Sequence, residues 1–461
     1  MRAADGVLIG VLDDDPTGSQ AVHGVQVVTA GDDAIYAAAL AAPAATCFVL
    51  TNTRSLAEPA AAELTTRVAR GLIAAAAARP GTRIQLVSRS DSTLRGHLMA
   101  EVGALQAVRR EATGSGFDAL LLIPAFIEAG RVTAADIHWA RSDSGLIPVG
   151  ETEFARDAAF GYSASDLKAF VSEKSGGAIR PGQVRSVSLT DIRSGGPDRV
   201  RDLLAGLAGG AWVVVNATEY SDLETVACGV LLAERAGKAF GFRTGPSFVR
   251  ALAGLEPKEP VRGEDLRSSR PGYAGHGLIV AGSHVAQTSR QLAVLRARGH
   301  VTEVELSVPG ILGGTRAGEV VVAAARQVAD GLTRSDVLLY TSRTVEATGN
   351  PQESLAAGRT ISAALASVVR QAVCSERPAG QAAGLAWIVA KGGITSHDVA
   401  VQGLGIRRAE VAGQLFPGLI SVLRPVDASP EVIGVPYVVF PGNVGDDSAL
   451  AQAVQLMNAS R

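Results

Sequence analysis

The chain has 461 residues, a length that predicts two or three domains with large cores. Its formal net charge is only −2, without a basic stripe or polybasic tail, which argues against nucleic acid and anionic membrane as partners. Cys47, Cys228 and Cys374 lie far apart without metal-ligand spacing, which is typical of a reducing cytoplasm. The sequence shows no signal-peptide pattern and no uncharged apolar run of about 18 residues that would cross a membrane.

An apolar run at residues 7–12 predicts a buried parallel strand, and an acidic turn at residues 13–19 follows it directly. Open α/β sheets bind ligands at the carboxyl ends of their strands, so a binding site is expected at this turn. Neighbouring carboxylates raise each other's pKa, because like charges repel. The turn is therefore either a solvated loop that caps a helix or a site that holds a polyol, a metal ion or a proton.

Strands and helices alternate through the rest of the first half, which predicts βαβ units and a mostly parallel sheet. The predicted strands are residues 25–29, 47–50, 84–87, 119–123 and 211–217, and the predicted helices are 34–42, 59–78 and a segment that begins near 98. Polar residues follow two of these strands, at 51–55 and at 88–97. The polar segment 131–180 has no regular pattern and is expected to form an excursion over the site.

A charged stretch with prolines between Gly254 and Gly277 has the composition of a linker, and a second α/β pattern begins beyond it. We therefore predict an N-terminal domain at residues 1–255 and a C-terminal domain at 275–461. The strands predicted in the second domain are 277–281, 301–306, 336–340, 387–390 and 436–440, with helices at 287–298, 318–332 and 354–372. The predicted fold class is α/β, with two α/β domains that each contain a mostly parallel sheet flanked by helices.

The strand ends of the first half combine arginines with carboxylates and hydroxyls. Arg54, Arg89 and Arg95 can each donate a fork of hydrogen bonds to a carboxylate. The residues that can hydrogen-bond sugar hydroxyls are Asp14, Asp15, Asp91, Ser92 and Thr93. This combination indicates a ligand with a carboxylate at one end and hydroxyls along its length, and the alternative for each arginine is a structural ion pair.

Glycine and hydroxyl residues follow three predicted strands of the second half. These turns are 281–283, 391–395 and 441–443, and each leaves backbone N–H groups free to face a phosphate. One such turn is a weak signal, but three in one domain favour a nucleotide site. The G-x-x-x-x-G-K-[ST] loop is absent from the sequence, which excludes a P-loop enzyme.

Several of these runs resemble the motifs of the four-carbon acid sugar kinase family, and the resemblance covers nearly the whole chain. The most specific is Asp91-Ser92-Thr93-Leu94-Arg95-Gly96, which matches the family's D-S-T-L-R-G and is preceded by the basic residue Arg89. The other matching runs are Asp14-Asp15-Pro16-Thr17-Gly18, Thr53-Arg54, Gly282-Ser283 with Thr288 and Gln291, and Gly392-Gly393-Ile394-Thr395-Ser396. The family's late K-S-G-N-F-G resembles residues 440–445, where its Lys-Ser is missing.

The resemblance implies an ATP-dependent kinase that phosphorylates a terminal hydroxyl of threonate, erythronate, a 3-oxo-tetronate or 3-oxo-isoapionate. It implies an N-terminal domain that holds the acid, a C-terminal domain that holds ATP with Mg²⁺, and an active site in the cleft between them. It also implies a cytoplasmic protein, allows a homodimer and assigns no metal ligand.

The resemblance assigns its residues to three groups. The implied catalytic residues are Asp14, Asp15 and Arg95. The implied substrate-binding residues are Thr17, Arg54, Arg89, Asp91, Ser92 and Thr93. The implied ATP-binding residues are Gly282, Ser283, Gly392, Gly393, Ile394, Thr395, Gly442 and Asn443, and we add Lys391 to them as a hypothesis.

Two departures from the family pattern suggest a divergent branch that acts on a branched or oxidised acid. Pro441 replaces a hydroxyl of the expected ATP pocket, and Lys391 precedes the double glycine, where we hypothesise that it supplies the missing positive charge.

Two other functions remain open from the residues. Asp13 and Asp15 fit the nucleophile loop of haloacid-dehalogenase-like phosphatases, with Asp446-Asp447 as an acidic metal pair. Two domains of this kind could also form a non-catalytic sugar-acid sensor.

Overall fold

The computed structural model describes residues 2, 4–15, 18–29, 31–142, 145–268, 275–283, 285–314, 316–342, 351–374, 385–416, 418, 420–442 and 444–460. The chain divides into two compact units, Met1–Lys258 and Glu259–Arg461, which are called the N-terminal and the C-terminal domain below. Each domain has its own apolar core. Among the helices described, none has the length and apolar character that crossing a bilayer requires.

The N-terminal domain alternates strands and helices and confirms the predicted α/β class. Its described strands are β1 (Val7–Asp13), β2 (Gln26–Val28), β3 (Thr46–Leu50), β4 (Arg83–Arg89), β5 (Ala119–Ile123), β6 (Arg131–Ala134), β7 (Ile137–Ser142), β8 (Gly145–Pro148), β9 (Arg185–Val187), β10 (Ala211–Val215) and β11 (Phe240–Thr244). Its described helices are α1 (Asp33–Leu40), α2 (Glu58–Ala77), α3 (Leu98–Thr113), α4 (Leu167–Lys174), α5 (Leu189–Arg193), α6 (Gly196–Ala205), α7 (Tyr220–Arg235) and α8 (Pro246–Ala253).

The main sheet of this domain is parallel, in the order β2-β3-β1-β4-β11-β5-β10-β9. The chain runs from β1 to β2 and β3 on one side and then crosses to β4 on the other, so β1 lies at a topological switch point. Asp13 ends β1 and pairs in register with Leu50 of β3 and Arg89 of β4. The polar residues that follow these three strands therefore lie at one edge of the sheet, where such folds bind ligands.

Helix α2 packs on this sheet through one apolar face. Ala61, Thr65, Val68 and Leu72 recur at helical spacing and are buried. An added Cβ at Gly10 of β1 would lie 2.9 Å from the Leu72 side chain, so the glycine permits the close approach of the helix. Burial of a leucine side chain contributes about 1.5–3 kcal/mol, so this contact helps to fix β1 and the turn that follows it.

Residues 131–180, which the sequence predicts to be irregular, contain a small antiparallel sheet of β6, β7 and β8. Buried and partly buried residues alternate along β7, but polar side chains in these short strands conceal the period of two. The His138 ring Nε2 donates to the Ser92 carbonyl at 2.8 Å, and the Tyr162 hydroxyl donates to the Thr93 carbonyl at 2.6 Å. The segment therefore lies against the turn that follows β4.

The C-terminal domain repeats the α/β pattern. Its described strands are β12 (His276–Ala281), β13 (Val301–Leu306), β14 (Asp336–Thr341), β15 (Leu385–Lys391), β16 (Arg408–Gln414), β17 (Ser421–Asp427) and β18 (Tyr437–Phe440). Its described helices are α9 (Ala286–Ala297), α10 (Val308–Leu312), α11 (Ala317–Gly331), α12 (Pro351–Val373), α13 (Gly393–Asp398) and α14 (Ala449–Asn458).

The strands of this domain follow the order β13-β14-β12-β15-β18-β17-β16. The first five are parallel, and β17 and β16 add an antiparallel hairpin. The sequence pattern does not predict this hairpin, because Pro425 and two irregularities in register interrupt its alternation. The three glycine turns follow β12, β15 and β18, which are neighbours in the sheet, and the topological switch point lies between β12 and β15.

Candidate functional site

The acidic turn of the N-terminal domain begins with Asp13, whose side chain is fully buried. Its Oδ1 accepts hydrogen bonds from Arg89 Nη1 at 2.8 Å and from the backbone N–H of Asp15 at 3.1 Å. Burial raises the pKa of Asp13 to about 6, although the charge of Arg89 opposes the shift. An added Cβ at Gly18 would lie 1.5 Å from Asp13 Oδ2, so only glycine fits there.

Asp14 is 1% exposed and has two arginines within ion-pair distance. Arg54 Nε lies 3.3 Å from one carboxylate oxygen and Arg243 Nη2 lies 3.7 Å from the other, but in the described part of the chain neither oxygen accepts a hydrogen bond. Burial raises the pKa of Asp14 to about 7, and the two arginines limit the shift. An added Cβ at Gly96 would lie 2.8 Å from Asp14 Oδ2 and 2.7 Å from Arg243 Nη2, so both charged groups pack closely against this glycine.

Arg54 connects three aspartates. It forms an ion pair with Asp15 and also lies 3.8 Å from Asp91. Asp91 accepts a hydrogen bond from Arg95 Nε at 2.6 Å and another from the Thr93 hydroxyl. Burial alone would raise the pKa of Asp91, but Arg54 and Arg95 outweigh burial and hold it well below its usual value. Asp91 is therefore an ionised acceptor at neutral pH.

The sequence analysis does not identify two charged residues of this site, Glu101 and Arg243. Glu101 lies in the first turn of α3, is buried and accepts hydrogen bonds from the Thr53 hydroxyl at 2.6 Å and the Ser88 hydroxyl at 2.9 Å. Arg243 lies in β11, forms an ion pair with Glu101 and donates to the Ser88 hydroxyl at 2.6 Å. The sequence feature that could have identified Arg243 is a charged residue inside an apolar strand. A strand buries such a charge only when the charge is paired.

The predicted residues of the N-terminal domain are brought together at the ends of β1, β3 and β4. These residues are Asp14, Asp15, Arg54, Arg89, Asp91, Ser92, Thr93 and Arg95. Thr17 lies outside the described residues. Leu94, between Thr93 and Arg95, has a φ of 67°, which is a strained backbone conformation for a branched side chain. The roles of these residues remain predictions, and all three predicted arginines are already paired with carboxylates.

A second candidate site lies within the C-terminal domain, in a cavity of about 360 Å³. The three glycine turns and one face of α12 line it. The predicted ATP-binding residues on its wall are Gly282, Ser283, Gly392, Gly393, Ile394, Thr395 and Gly442. Asn443 lies outside the described residues. Ser362 of α12 also lines the cavity, and its hydroxyl is buried with no hydrogen-bond partner in the described part of the chain.

The three glycine turns contact one another at the ends of their strands. An added Cβ at Gly282 would lie 2.4 Å from the Thr395 hydroxyl, and one at Gly442 would lie 3.0 Å from the Ser283 hydroxyl. Gly392 has a φ of 114°, and a Cβ there would lie 3.1 Å from Ser283 Cβ. Larger residues would therefore push the turns apart, and glycine allows their backbones to form one wall of the cavity.

Lys391 lies behind this wall, since it is fully buried at the end of β15 and does not line the cavity. Its ammonium donates to the carbonyl oxygens of Pro441 at 2.6 Å and of Gly442 at 3.1 Å, and it lies 4.1 Å from the centre of the Phe440 ring. Burial lowers the pKa of Lys391 to about 7. Its contacts therefore hold the turn after β18, and whether it acts on a nucleotide remains a prediction.

Two buried side chains of α9 also hold the turn after β18. The Thr288 hydroxyl donates to the Gly442 carbonyl at 3.1 Å, and Gln291 Nε2 donates to the carbonyl of Val444 at 3.0 Å. These are the threonine and glutamine that follow Gly282-Ser283 in the sequence motif. They connect the turns after β12 and β18.

The lining of this cavity fits a nucleotide. Backbone N–H groups of glycine turns suit phosphates, and Ile361 and Leu365 provide apolar surface for a base. Within the described ranges, the lining contains no carboxylate and there is no cluster of three metal-ligating side chains. We therefore assign Mg²⁺ no ligand among the described residues that line the cavity.

Two family models match the chain. A sugar-binding N-terminal domain matches residues 9–252, and a nucleotide-binding C-terminal domain matches residues 278–450. The chain therefore has a sugar-binding and a nucleotide-binding domain, in that order. The comparison with curated proteins gives no match.

Two solved bacterial structures have a fold similar to that of this chain. The Haemophilus influenzae protein HI1011, of the DUF1537 family, is 17% identical with a TM-score of 0.62, and the alignment covers 97% of this chain and 99% of that one. A Salmonella typhimurium LT2 protein that carries the provisional name tRNA synthase is 17% identical with a TM-score of 0.66, over 96% and 98% of the two chains. At this identity the likeness shows a shared fold alone.

Proposed function

Since this chain belongs to the four-carbon acid sugar kinase (DUF1537) family, we propose that it transfers the terminal phosphoryl group of ATP to a hydroxyl of a sugar acid. The candidate acids are threonate, erythronate, a 3-oxo-tetronate and 3-oxo-isoapionate. The N-terminal domain would bind the acid, and the C-terminal domain would bind ATP.

The observation that carries this proposal is the environment of the Asp14 carboxylate. Its carboxylate is buried, lies beside Arg54 and Arg243 and accepts no hydrogen bond from the described residues. A hydroxyl of the bound substrate would provide the missing donor. As phosphoryl transfer begins, Asp14 would accept the proton of that hydroxyl.

The other groups would position the ligands and neutralise charge, which is most of what phosphoryl transfer requires. Asp15 and Asp91 would accept hydrogen bonds from sugar hydroxyls, and Arg95 would offset the charge of the transferring group. The glycine turns of the C-terminal domain would bind the phosphates through backbone N–H groups. Mg²⁺ would accompany ATP and reduce the charge of its phosphates.

The two other functions that the sequence left open, a phosphatase and a sugar-acid sensor, fit the structure less well than a kinase does. A haloacid-dehalogenase-like phosphatase would need Asp13 as its nucleophile, but that side chain is fully buried and hydrogen-bonded to Arg89. A sugar-acid sensor would bind the acid without consuming ATP, and it gives no reason for a nucleotide-binding domain.

The test is a panel of the four acids, each incubated with the protein, ATP and Mg²⁺ while ADP release is measured. We expect at least one acid to raise the rate of ADP release well above the rate without acid. A matched incubation replaces the acid and ATP with a sugar phosphate and measures free phosphate. Phosphate release in that incubation, with no acid-dependent ADP release, would support the phosphatase and refute the kinase.

A further inference from the structure

Arg131, the first residue of β6, differs from the arginines around it because it forms no ion pair with any acid of the described chain. Arg54, Arg89, Arg95 and Arg243 each form an ion pair with an aspartate or glutamate. The Arg131 side chain has no hydrogen-bond acceptor or ion-pair partner among the described residues, and its Nε is shielded from solvent. Among the described residues, the Arg131 guanidinium therefore feels the charge of Asp91 but makes no ion pair or hydrogen bond of its own.

Arg131 lies beside the turn that contains Asp91 and Arg95. Its guanidinium is 5.7 Å from the centre of the Phe154 ring, and the guanidinium of Arg95 is 5.0 Å from the same centre. Arg95 is neutralised by Asp91 at 2.6 Å and approached by Asp157 at 3.6 Å. The small sheet that contains Arg131 is hydrogen-bonded to this turn through His138.

Burial of an unpaired guanidinium is unfavourable until an anion arrives. Burial lowers the pKa of Arg131, but a guanidinium remains protonated in proteins, so the charge persists. The planar fork of an arginine matches the two oxygens of a carboxylate. Each of the paired arginines already faces a carboxylate, so much of its charge is offset before a ligand binds.

We propose that Arg131 binds the carboxylate of the substrate and selects acids over neutral sugars. This inference rests on the proposed function, since it names the residue that recognises the acid end of that substrate. The hydroxyls then extend toward Asp91 and Asp14. A neutral analogue leaves the guanidinium unpaired, so the site discriminates against it.

The test compares wild type, Arg131→Gln and Arg131→Lys with threonate and with its neutral amide, threonamide, as phosphoryl acceptors. Arg131→Gln should lower kcat/KM for threonate by about a hundredfold, mainly through KM, and abolish the preference for acid over amide. Arg131→Lys should restore part of that preference, and KM for ATP should not change. The matched control is Arg109→Gln, since Arg109 also lies over a phenylalanine, 5.3 Å from the Phe117 ring centre, on α3.

Equal losses for threonate and threonamide, or an unchanged preference in Arg131→Gln, would overturn the inference and leave the kinase proposal intact. Calorimetric titration of the same proteins with threonate separates the two ideas further. Binding to wild type that Arg131→Gln abolishes, without phosphorylation of any acid, would refute the kinase and keep the role of Arg131. Failure of wild type to bind or to phosphorylate any of the four acids would refute both.

Discussion

Asp14 differs from Asp13 and Asp15 in how its charge is compensated. Asp13 accepts a hydrogen bond from Arg89, and Asp15 forms an ion pair with Arg54. Asp14 lies at ion-pair distance from Arg54 and Arg243, yet neither of its oxygens accepts a hydrogen bond within the described ranges. A buried carboxylate without donors is unfavourable, and the proposed function assigns the missing donor to a substrate hydroxyl.

We predict that Asp14→Asn lowers kcat by about a hundredfold or more, because the amide cannot accept the substrate proton. Burial raises the pKa of Asp14 to about 7, and only the ionised form is a base. Wild-type kcat/KM should therefore rise as pH increases through about 7, while the residual activity of the variant should not follow this titration. The measurement is the pH profile of kcat/KM for both proteins.

Asp15→Asn provides the matched comparison, because Asp15 lies one residue further along the same turn and is partly exposed. We expect it to retain the titration near pH 7. If Asp15→Asn removes that titration and Asp14→Asn keeps it, Asp15 is the base and the role given to Asp14 is wrong. Calorimetric binding of threonate to each variant shows whether the site is still formed.

At this scale the sequence identifies only those residues that follow a strand directly. Asp14, Arg54 and Asp91 can be predicted because each comes just after an apolar run. Arg131 and Glu101 come from later elements, and only the crossovers of the sheet bring those elements to the same edge. A single sequence does not reveal which distant charges become neighbours.

The turn after β18 illustrates the element scale, because three buried side chains from other elements hold it. Lys391 donates to the carbonyls of Pro441 and Gly442, Thr288 donates to Gly442, and Gln291 donates to Val444. This turn is part of the cavity wall, so its position affects any ligand bound there.

We predict that Lys391→Met raises KM for ATP by about tenfold or more and leaves KM for the acid unchanged, since the turn loses two hydrogen bonds.

Burial lowers the pKa of Lys391 to about 7, below its value of about 10.4 in the unfolded chain. The folded state therefore binds fewer protons between these values, and the free energy of unfolding of wild type should rise with pH there. The variant should lack this rise. Steady-state kinetics and denaturant unfolding between pH 7 and 10 measure the two effects.

Lys174→Met is the control, because Lys174 also donates to two carbonyls, those of Phe160 at 3.0 Å and Gly161 at 2.8 Å, but lies in the N-terminal domain. It should not change KM for ATP. An unchanged KM in Lys391→Met would mean that the turn keeps its shape without the lysine.

Among the elements, the sequence predicts the buried parallel strands best, because their apolar runs are continuous. β1, β5 and β13 agree with prediction within one or two residues. β11 is not predicted, since Arg243 interrupts its apolar run, and β16 and β17 are not predicted because irregular register and Pro425 obscure their alternation.

At the scale of the whole molecule, the chain combines two α/β domains with different strand-end chemistry. The N-terminal sheet ends in carboxylates and arginines, and the parallel part of the C-terminal sheet ends in glycines and hydroxyls. The boundary between the two domains falls between residues 258 and 259, and the two family models leave residues 253–277 unmatched. The charged stretch with prolines lies in this interval. It can be recognised in the sequence because a linker does not need the apolar periodicity of a packed element.

The direct test is to follow the phosphoryl group itself. The protein is incubated with each of the four sugar acids and ATP labelled with ³²P at its γ-phosphate, and the products are separated and counted. We predict that the label moves from ATP to one acid in the same amount as the ADP formed, and that Asp14→Asn largely abolishes the transfer. Label that appears only as inorganic phosphate, or that remains in ATP with every acid, would contradict a sugar-acid kinase.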